Sequence, residues 1–556
     1  MMLAFFLLLP SLALAMNLRV NAPHLFLDLD GLAMTTNLSI VPGLITKDYE
    51  RPVVAGEEQW DAFMAGYSSL LLTTSVAGVP TYYLYYSCAA IPPTNQSGNY
   101  VCLTTTVDGR SWVKPALPAF PWTDGRLTNR VFSTKDGFMG NVFIDDGVGV
   151  PEDKRFKLSY SATDPSGNYG GVYLAASADG FYFQAGTNSS VQLPAHYGDT
   201  QPAILWDAAR MRYAIFGRGN NETNWNSTHG CAGGNPVRRR VLGAFSASGA
   251  GEGFGNASII LNYGPPDQLD CLDVYNSSPL LIDDDSGSNG AILFFPSSYH
   301  HFAQIESWKN GSNDGVLDVR VAVSRDGGAT AAFVSREAFI PRGMGALAAP
   351  GTFTAIGSDP DAGCVFATAG GLLDPDKLAP LPYTTTPSPR VWFLFYGTQR
   401  THWPIWTPTA PVDAGFNGIL RGSLRREGFA GLRTPFGDPT GAGSFTTVPL
   451  LVPQPTAVCG GNASAQLWLL LNVQTSAAGG VSVALLSPGN LEPLPGRGPA
   501  DALPFVGDVV RSPVAWAPSA EGGEPVRNLA PFAGTQVVIS VSLVHAQLFA
   551  WELQCV

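Results

Sequence analysis

The feature that most constrains this chain is a short unit that recurs: an alternating strand, a Ser-x-Asp-Gly turn, and then an aromatic residue. It is clearest in DVRVAVSRDGGATAAF, residues 318–333. Strict alternation marks a half-buried strand, and a tight Asp-Gly turn uses the positive φ that Gly tolerates. VCLTTTVDGRSW and VYLAASADGFYF repeat the unit, with turns at Asp108-Gly109 and Asp179-Gly180. VLGAFSASGAGEGF and GILRGSLRREGF are worn copies, with turns at Ser248-Gly249 and Glu427-Gly428. The turn positions 108, 179, 248, 326 and 427 lie 71, 69, 78 and 101 residues apart.

Two further strand-like runs precede each turn strand in the same order. The nearer set is TYYLYYS, RFKLSYS, RYAIFGR, AILFFPS and RVWFLFYG; the farther set is YSSLLLT, GNVFIDD, QPAILWD, SSPLLID and VFATAGGLL. Inner strand, second strand, turn strand and an aromatic return strand make four strands per unit, which is a propeller blade. Five copies in phase predict a five-bladed β-propeller, since periodicity of this length marks radial or stacked β architectures. Beyond Phe429 the unit disappears. AQLWLLLNV, GGVSVALLS, SPVAW and TQVVISVSLVHAQLFAWEL alternate between Gly/Pro-rich turns and predict an antiparallel β-sandwich. The expected division is a signal peptide over 1–15, the propeller with its entry segment over 16–430, and the sandwich over 431–556. The fold class is all-β.

The chain has 556 residues, only 14% of them charged, with 62 Gly and 44 Pro, a composition suited to many turns. MMLAFFLLLPSLALA is a short apolar block ending in a small-x-small pattern, which predicts a cleaved secretory signal and an extracellular protein. No later apolar run reaches the roughly 18 residues of a membrane span. Nine Asn-x-Ser/Thr sequons, at Asn37, Asn95, Asn188, Asn221, Asn226, Asn256, Asn276, Asn310 and Asn462, agree with secretion. Of seven cysteines, Cys88 with Cys102, Cys459 with Cys555 and Cys231 with Cys271 are expected to pair, leaving Cys364 as a buried free thiol. A net charge of −12 argues against nucleic acid as a partner. A monomer is expected, with no cofactor and no metal site.

In a propeller, loops that precede the inner strands converge on one central pocket. Asp61 in EQWDAF, Asp199 in YGDTQ and Asp273 in LDVYN precede inner strands in a similar place. Carboxylates gathered from different blades could supply an acid, a base or nucleophile, and an electrostatic anchor. Glycoside hydrolysis needs such a set, with two carboxyls whose pKa values are held apart. An Asp before a strand is also a common turn former, so each has a structural reading beside the catalytic one. Arg218, His300, His402 and Trp60 stand near the same loops and could contact a sugar. No Gly-x-Ser-x-Gly elbow, phosphate loop or His-Glu-x-x-His helix occurs.

The succession LFLDLDGL, YLYYS with DGRSWVKP, DTQPAILWD with RYAIFGR, DVYNSSPLL with LFFPSSYHHF, NDGVLDVRVAVSRDG and FIPRG resembles the secreted glycosyl-hydrolase-like five-bladed propellers. These form the arabinanase, levansucrase and invertase superfamily, around glycoside hydrolase families 32 and 43. The run from GILRGSLRREGFAGL to AQLFAWEL resembles the β-sandwich that follows such propellers. The resemblance implies a secreted protein that acts on a glycan through three axial acids. The family's Asn-Asp-Pro-Asn-Gly, Arg-Asp-Pro and Glu-Cys motifs are absent. A non-catalytic, glycan-binding propeller is the alternative that this absence favours.

Overall fold

A computed structural model of the chain describes residues 16–75, 78–90, 98–135, 137–163, 169–191, 200–220, 239–250, 253–263, 272–282, 290–301, 315–344, 359–378, 387–402, 416–435, 438, 440–462, 464–518, 520 and 522–556. Almost all regular structure is β, and the one α-helix among the described residues is the short Pro455–Val458. Two compact bodies divide the chain. One holds residues 42–282 and 289–429; the other holds the described residues up to Val41 together with 430–556.

The first body is a β-propeller of antiparallel four-stranded meanders. The first runs Phe63–Thr74, Pro80–Ala89, Asn99–Thr106 and Arg130–Lys135. The second runs Met139–Ile144, Phe156–Thr163, Tyr169–Ser177 and Gln184–Val191. The third runs Ala203–Asp207, Arg212–Asn220, Arg239–Ser246 and Ser258–Leu261. Pro279–Ile282, Ala291–Phe294, Ala322–Ser324 and Ala332–Phe333 form the fourth. Cys364–Leu373, Arg390–Thr398 and Asn417–Arg425 begin the fifth. Its outer strand is not the expected return segment after Glu427 but Thr46–Asp48, from the N-terminal end of the chain. Ala430–Arg433, the segment expected there, pairs instead with residues 547–548 inside the second body.

The recurring turn explains itself at atomic level. Oγ1 of Thr106 accepts from the Gly109 N–H at 2.8 Å, and Oγ of Ser177 accepts from Gly180 at 3.0 Å. Asp108 and Asp179 accept from the N–H groups that follow, so a hydroxyl and a carboxylate together satisfy the turn's donors. Gly109 and Gly180 take φ of 68° and 82° as expected. The two worn copies differ: positive φ falls on Gly253 rather than Gly249, and on Glu427 rather than Gly428.

Each turn region also packs on the meander before it. Gly109 lies against Trp392 and Leu373 of the fifth meander, and Gly180 against Tyr85 of the first. Ala250 joins Phe143 of the second in one apolar cluster. Gly328 lies against Phe216 of the third, and Phe429 stacks near Phe295 of the fourth.

Polar residues on the inner strands are explained by contacts between neighbouring meanders. Ser68 Oγ and Thr368 Oγ1 are 2.7 Å apart, and Ser69 Oγ accepts from the Val142 N–H at 3.1 Å. The Asn141 amide bonds both the N–H and the C=O of Ile204, and Ser278 Oγ donates to Ala367 O. Neighbouring inner strands, too splayed for a full ladder, are tied by side chains that satisfy buried backbone groups.

In the second body, two 20-residue strands, Leu467–Leu486 and Gln536–Cys555, run antiparallel along their whole length. AQLWLLLNV and GGVSVALLS, read from the sequence as separate strands, are thus one bent strand. Leu32–Thr36 pairs with Ala442–Thr447, which pairs in turn with residues 540–544. Leu469, Leu471, Val483, Leu485, Ile539, Val541, Leu548 and Trp516 fill the core. The Cys88–Cys102 and Cys459–Cys555 disulfides are present, and Cys364 is buried and belongs to neither. Cys231 and Cys271, like residues 1–15, lie outside the described residues.

Candidate functional site

The leading ends of the propeller's inner strands carry aromatic rings that meet one another. Tyr67, at the head of the first, is 5.9 Å from Phe138 of the second and 6.1 Å from Phe366 of the fifth, centroid to centroid. Phe366 lies 5.6 Å from Tyr275, which leads into the fourth. The third inner strand arrives through Thr200 and Gln201, both buried; the Gln201 amide donates to Ser68 O and Gly140 O. Rings from four meanders therefore form a continuous apolar patch, and the fifth contributor anchors it through an amide.

Charged and titratable groups gather on one side of that patch. In the fourth meander the second strand is interrupted at Pro296, and Ser297–His301 continues beyond it, flanked by Leu272–Val274 and Gly315–Val319. Asp273 pairs directly with Tyr299 in this extension. Directly paired residues share a sheet face, so the carboxylate stands beside the Tyr299 ring. Arg218, near the end of the third meander's second strand, places its guanidinium 4.9 Å from the Tyr275 ring centroid, a cation–π distance. Between the two tyrosines sits His402: its Nδ1 is 3.1 Å from the Tyr299 hydroxyl and its Nε2 is 2.9 Å from the Tyr275 hydroxyl. In the neutral imidazole one nitrogen donates and the other accepts, so each phenol takes the complementary role. The His402 N–H donates to Gly315 O and fixes the ring's backbone. Arg218, Asp273, Tyr275, Tyr299 and His402 are all buried.

The structure thus brings together three of the residues read from the sequence: Arg218, Asp273 and His402. Both ring nitrogens of His402 are engaged by the two phenols. Sequence reasoning missed Tyr275 and Tyr299, although both lie in the quoted runs DVYNSSPLL and LFFPSSYHHF.

Other candidates lie elsewhere. Asp61 has both oxygens occupied: Oδ1 accepts from the Glu58 N–H, while Oδ2 accepts from Tyr86 Oη at 2.8 Å and Lys114 Nζ at 2.7 Å. All three partners belong to the first meander or the segment leading into it, and the pair neutralises the carboxylate. Trp60 is not a stacking platform. Its Nε1 donates to Asn129 Oδ1, Trp122 lies 6.0 Å away and the Arg126 guanidinium covers it at 5.4 Å. His300 shares its face with Asp318, to which its Nε2 is bonded at 2.8 Å, and that face is opposite the one bearing Asp273 and Tyr299. Asp199 lies outside the described residues.

No family model and no curated protein matches the chain. Among solved structures it is similar to a thermostable family-43 glycoside hydrolase, with a TM-score of 0.39 and 14% identity over 68% of this chain and 96% of that one. It is also similar to an N-acetylgalactosamine deacetylase from F. plautii, with a TM-score of 0.40 and 12% identity over 71% and 97%. A third likeness, to the family-32 β-fructofuranosidase of Bombyx mori, has a TM-score of 0.35 and 12% identity over 92% and 95%.

Proposed function

We propose that this protein acts on a glycan at the Arg218–Asp273–His402 group, as a secreted glycoside hydrolase of five-bladed propeller form. The observation that carries the reading is Asp273, a nearly buried carboxylate paired with Tyr299 while Arg218 stacks on the adjacent Tyr275. Aromatic faces pack on the apolar faces of a sugar ring, a guanidinium meets hydroxyl pairs, and a positioned carboxylate can serve as acid, base or nucleophile. Hydrolysis needs a second carboxylate, so that one protonates the glycosidic oxygen and the other attacks the anomeric carbon or activates water. Asp199 is our candidate, since the chain passes from it directly into Thr200 and Gln201 at the patch. The test is release of reducing ends from arabinan, levan and inulin. Turnover of at least one is expected, with kcat falling about 10³-fold or more in Asp273→Asn and Asp199→Asn and the melting temperature little changed. Undiminished turnover by both variants removes the assignment.

The second reading is a non-catalytic glycan-binding propeller. Neutralisation of Asp61 by Lys114 favours it, because one of three expected axial acids is taken out of service. Retardation of the protein in polysaccharide-containing gels without product release would select this reading.

A further inference from the structure

We propose that the second body carries its own binding site, for an uncharged saccharide, in a cleft at the bend of its two longest strands. The cleft encloses about 520 Å³ and is lined by Arg433, Asp438, Gln474, Ser476, His545 and Gln547 among others. That volume lies within the range of sites that hold small ligands.

The strand pairing builds the cleft. Thr475 pairs with Ala546 and the next pair is Gly480 with Val544, so residues 476–479 bulge out opposite the single residue His545. A bulge of this size bends both strands and re-aims the side chains beside it. His545 absorbs the bend with a φ of 42°, a left-handed conformation that a non-glycine residue rarely adopts. Gly441 allows the imidazole to come close, since a Cβ there would fall 2.0 Å from Nδ1. Strain of this kind persists where the surroundings over-determine it, and it clusters at ligand sites.

The cleft's polar groups are arranged in order. Arg433 pairs with Gln547, and Gln547 pairs with Gln474, so three side chains stand in a row on one face of three adjacent strands. Ser476 and His545 are exposed and Gln547 is half-buried, so their polar groups are open to a ligand at the cleft. Nε of Arg433 is out of solvent and has no hydrogen-bond partner among the described residues. Amides and a hydroxyl both donate and accept, which matches sugar hydroxyls, each a donor and an acceptor at once. The charges in the cleft, Arg433 and Asp438, offset each other, which points to a neutral ligand rather than an anion. This site rests on residues separate from the Arg218–Asp273 group and does not depend on that reading.

The experiment is calorimetric titration of the full chain with maltotriose, 1,5-arabinotriose and 1-kestose, and with digalacturonate as the anionic comparison. At least one neutral trisaccharide is expected to bind with a millimolar Kd. Gln547→Ala should weaken it tenfold or more, whether made in the parent or in an Asp273→Asn background that silences the propeller group. His545→Gly, which removes both the ring and the strain, should lose the same binding yet melt no lower than the parent. No neutral binding, binding of digalacturonate alone, or neutral binding indifferent to Gln547→Ala overturns the proposal. Loss on Asp273→Asn alone would assign the saccharide to the propeller and likewise overturn it.

Discussion

Replacing Asp61 with Asn separates a structural carboxylate from a catalytic one. The Lys114 Nζ stands 2.7 Å from Oδ2, with the lysine side chain 22% exposed and the aspartate 0%. At an effective dielectric near 20 their attraction is about 6 kcal/mol before desolvation, and burial of the carboxylate cancels much of it. Removing one partner of a buried pair costs about 3–5 kcal/mol, mostly because the other charge is left stranded. Lys114 keeps some access to water, so Asp61→Asn should fall at the lower end, about 3 kcal/mol. Lys114→Met strands a fully buried carboxylate and should approach about 5 kcal/mol. The double variant should lose about 5–6 kcal/mol rather than the additive total of about 8, a coupling of about 2–3 kcal/mol. Urea unfolding followed by tryptophan fluorescence reads all three, since Trp60 and Trp122 lie beside the pair. An Asp61→Asn protein as stable as the parent but devoid of turnover would refute the structural assignment and return Asp61 to the catalytic set.

Further predictions concern the frame around the site. Gly109→Ala and Gly149→Ala both place a side chain at positive φ, 68° and 81°, costing roughly 1–2 kcal/mol. Only at Gly109 would the new methyl meet Trp392 and Leu373, at 2.5 and 2.8 Å, so that variant should lose about 2 kcal/mol more in urea unfolding. Equal losses would mean that the first turn does not brace the fifth meander. Burial pushes the Asp374 carboxyl up, but the Arg426 hydrogen bond and charge more than reverse this and hold it below its ordinary value. Backbone N–H groups of Ser111 and Arg110 likewise outweigh desolvation at Asp108 and hold it at about 2. Carboxyls depressed in the fold contribute stability that is complete above about pH 4 and is lost as pH falls through the folded values. Urea midpoints should therefore be flat from pH 6 to 4 and fall between 4 and 2, less steeply for Asp374→Asn; a fall already complete by pH 5 would contradict this. On expression through a eukaryotic secretory route, mass spectrometry should find glycans on the exposed Asn256 and Asn462 but none on Asn276 or Asn37. The Asn276 amide is buried against Ser278 and Ser297, and Nδ2 of Asn37 donates to Asp438 and to Ala442 O.

What the sequence determined by itself was whatever short-range chemistry writes into neighbouring residues. A hydroxyl two places before an Asp-Gly pair satisfies its own turn, so the recurring turns, and the strands alternating on either side, were legible without coordinates. The Cys88–Cys102 disulfide was legible for the same reason, because its strands are consecutive. Tertiary structure alone decided which polar residues meet. Arg218, Asp273 and His402 come from three meanders and converge only because inner strands from across the chain end at one place. It also decided that Asp61, alike in sequence context, is claimed by Lys114 53 residues away, and that Thr46–Asp48 supplies the fifth meander's outer strand. Local pattern records what a residue needs from its neighbours; a charge's partner, and hence whether it is free for chemistry, depends on who arrives from far along the chain.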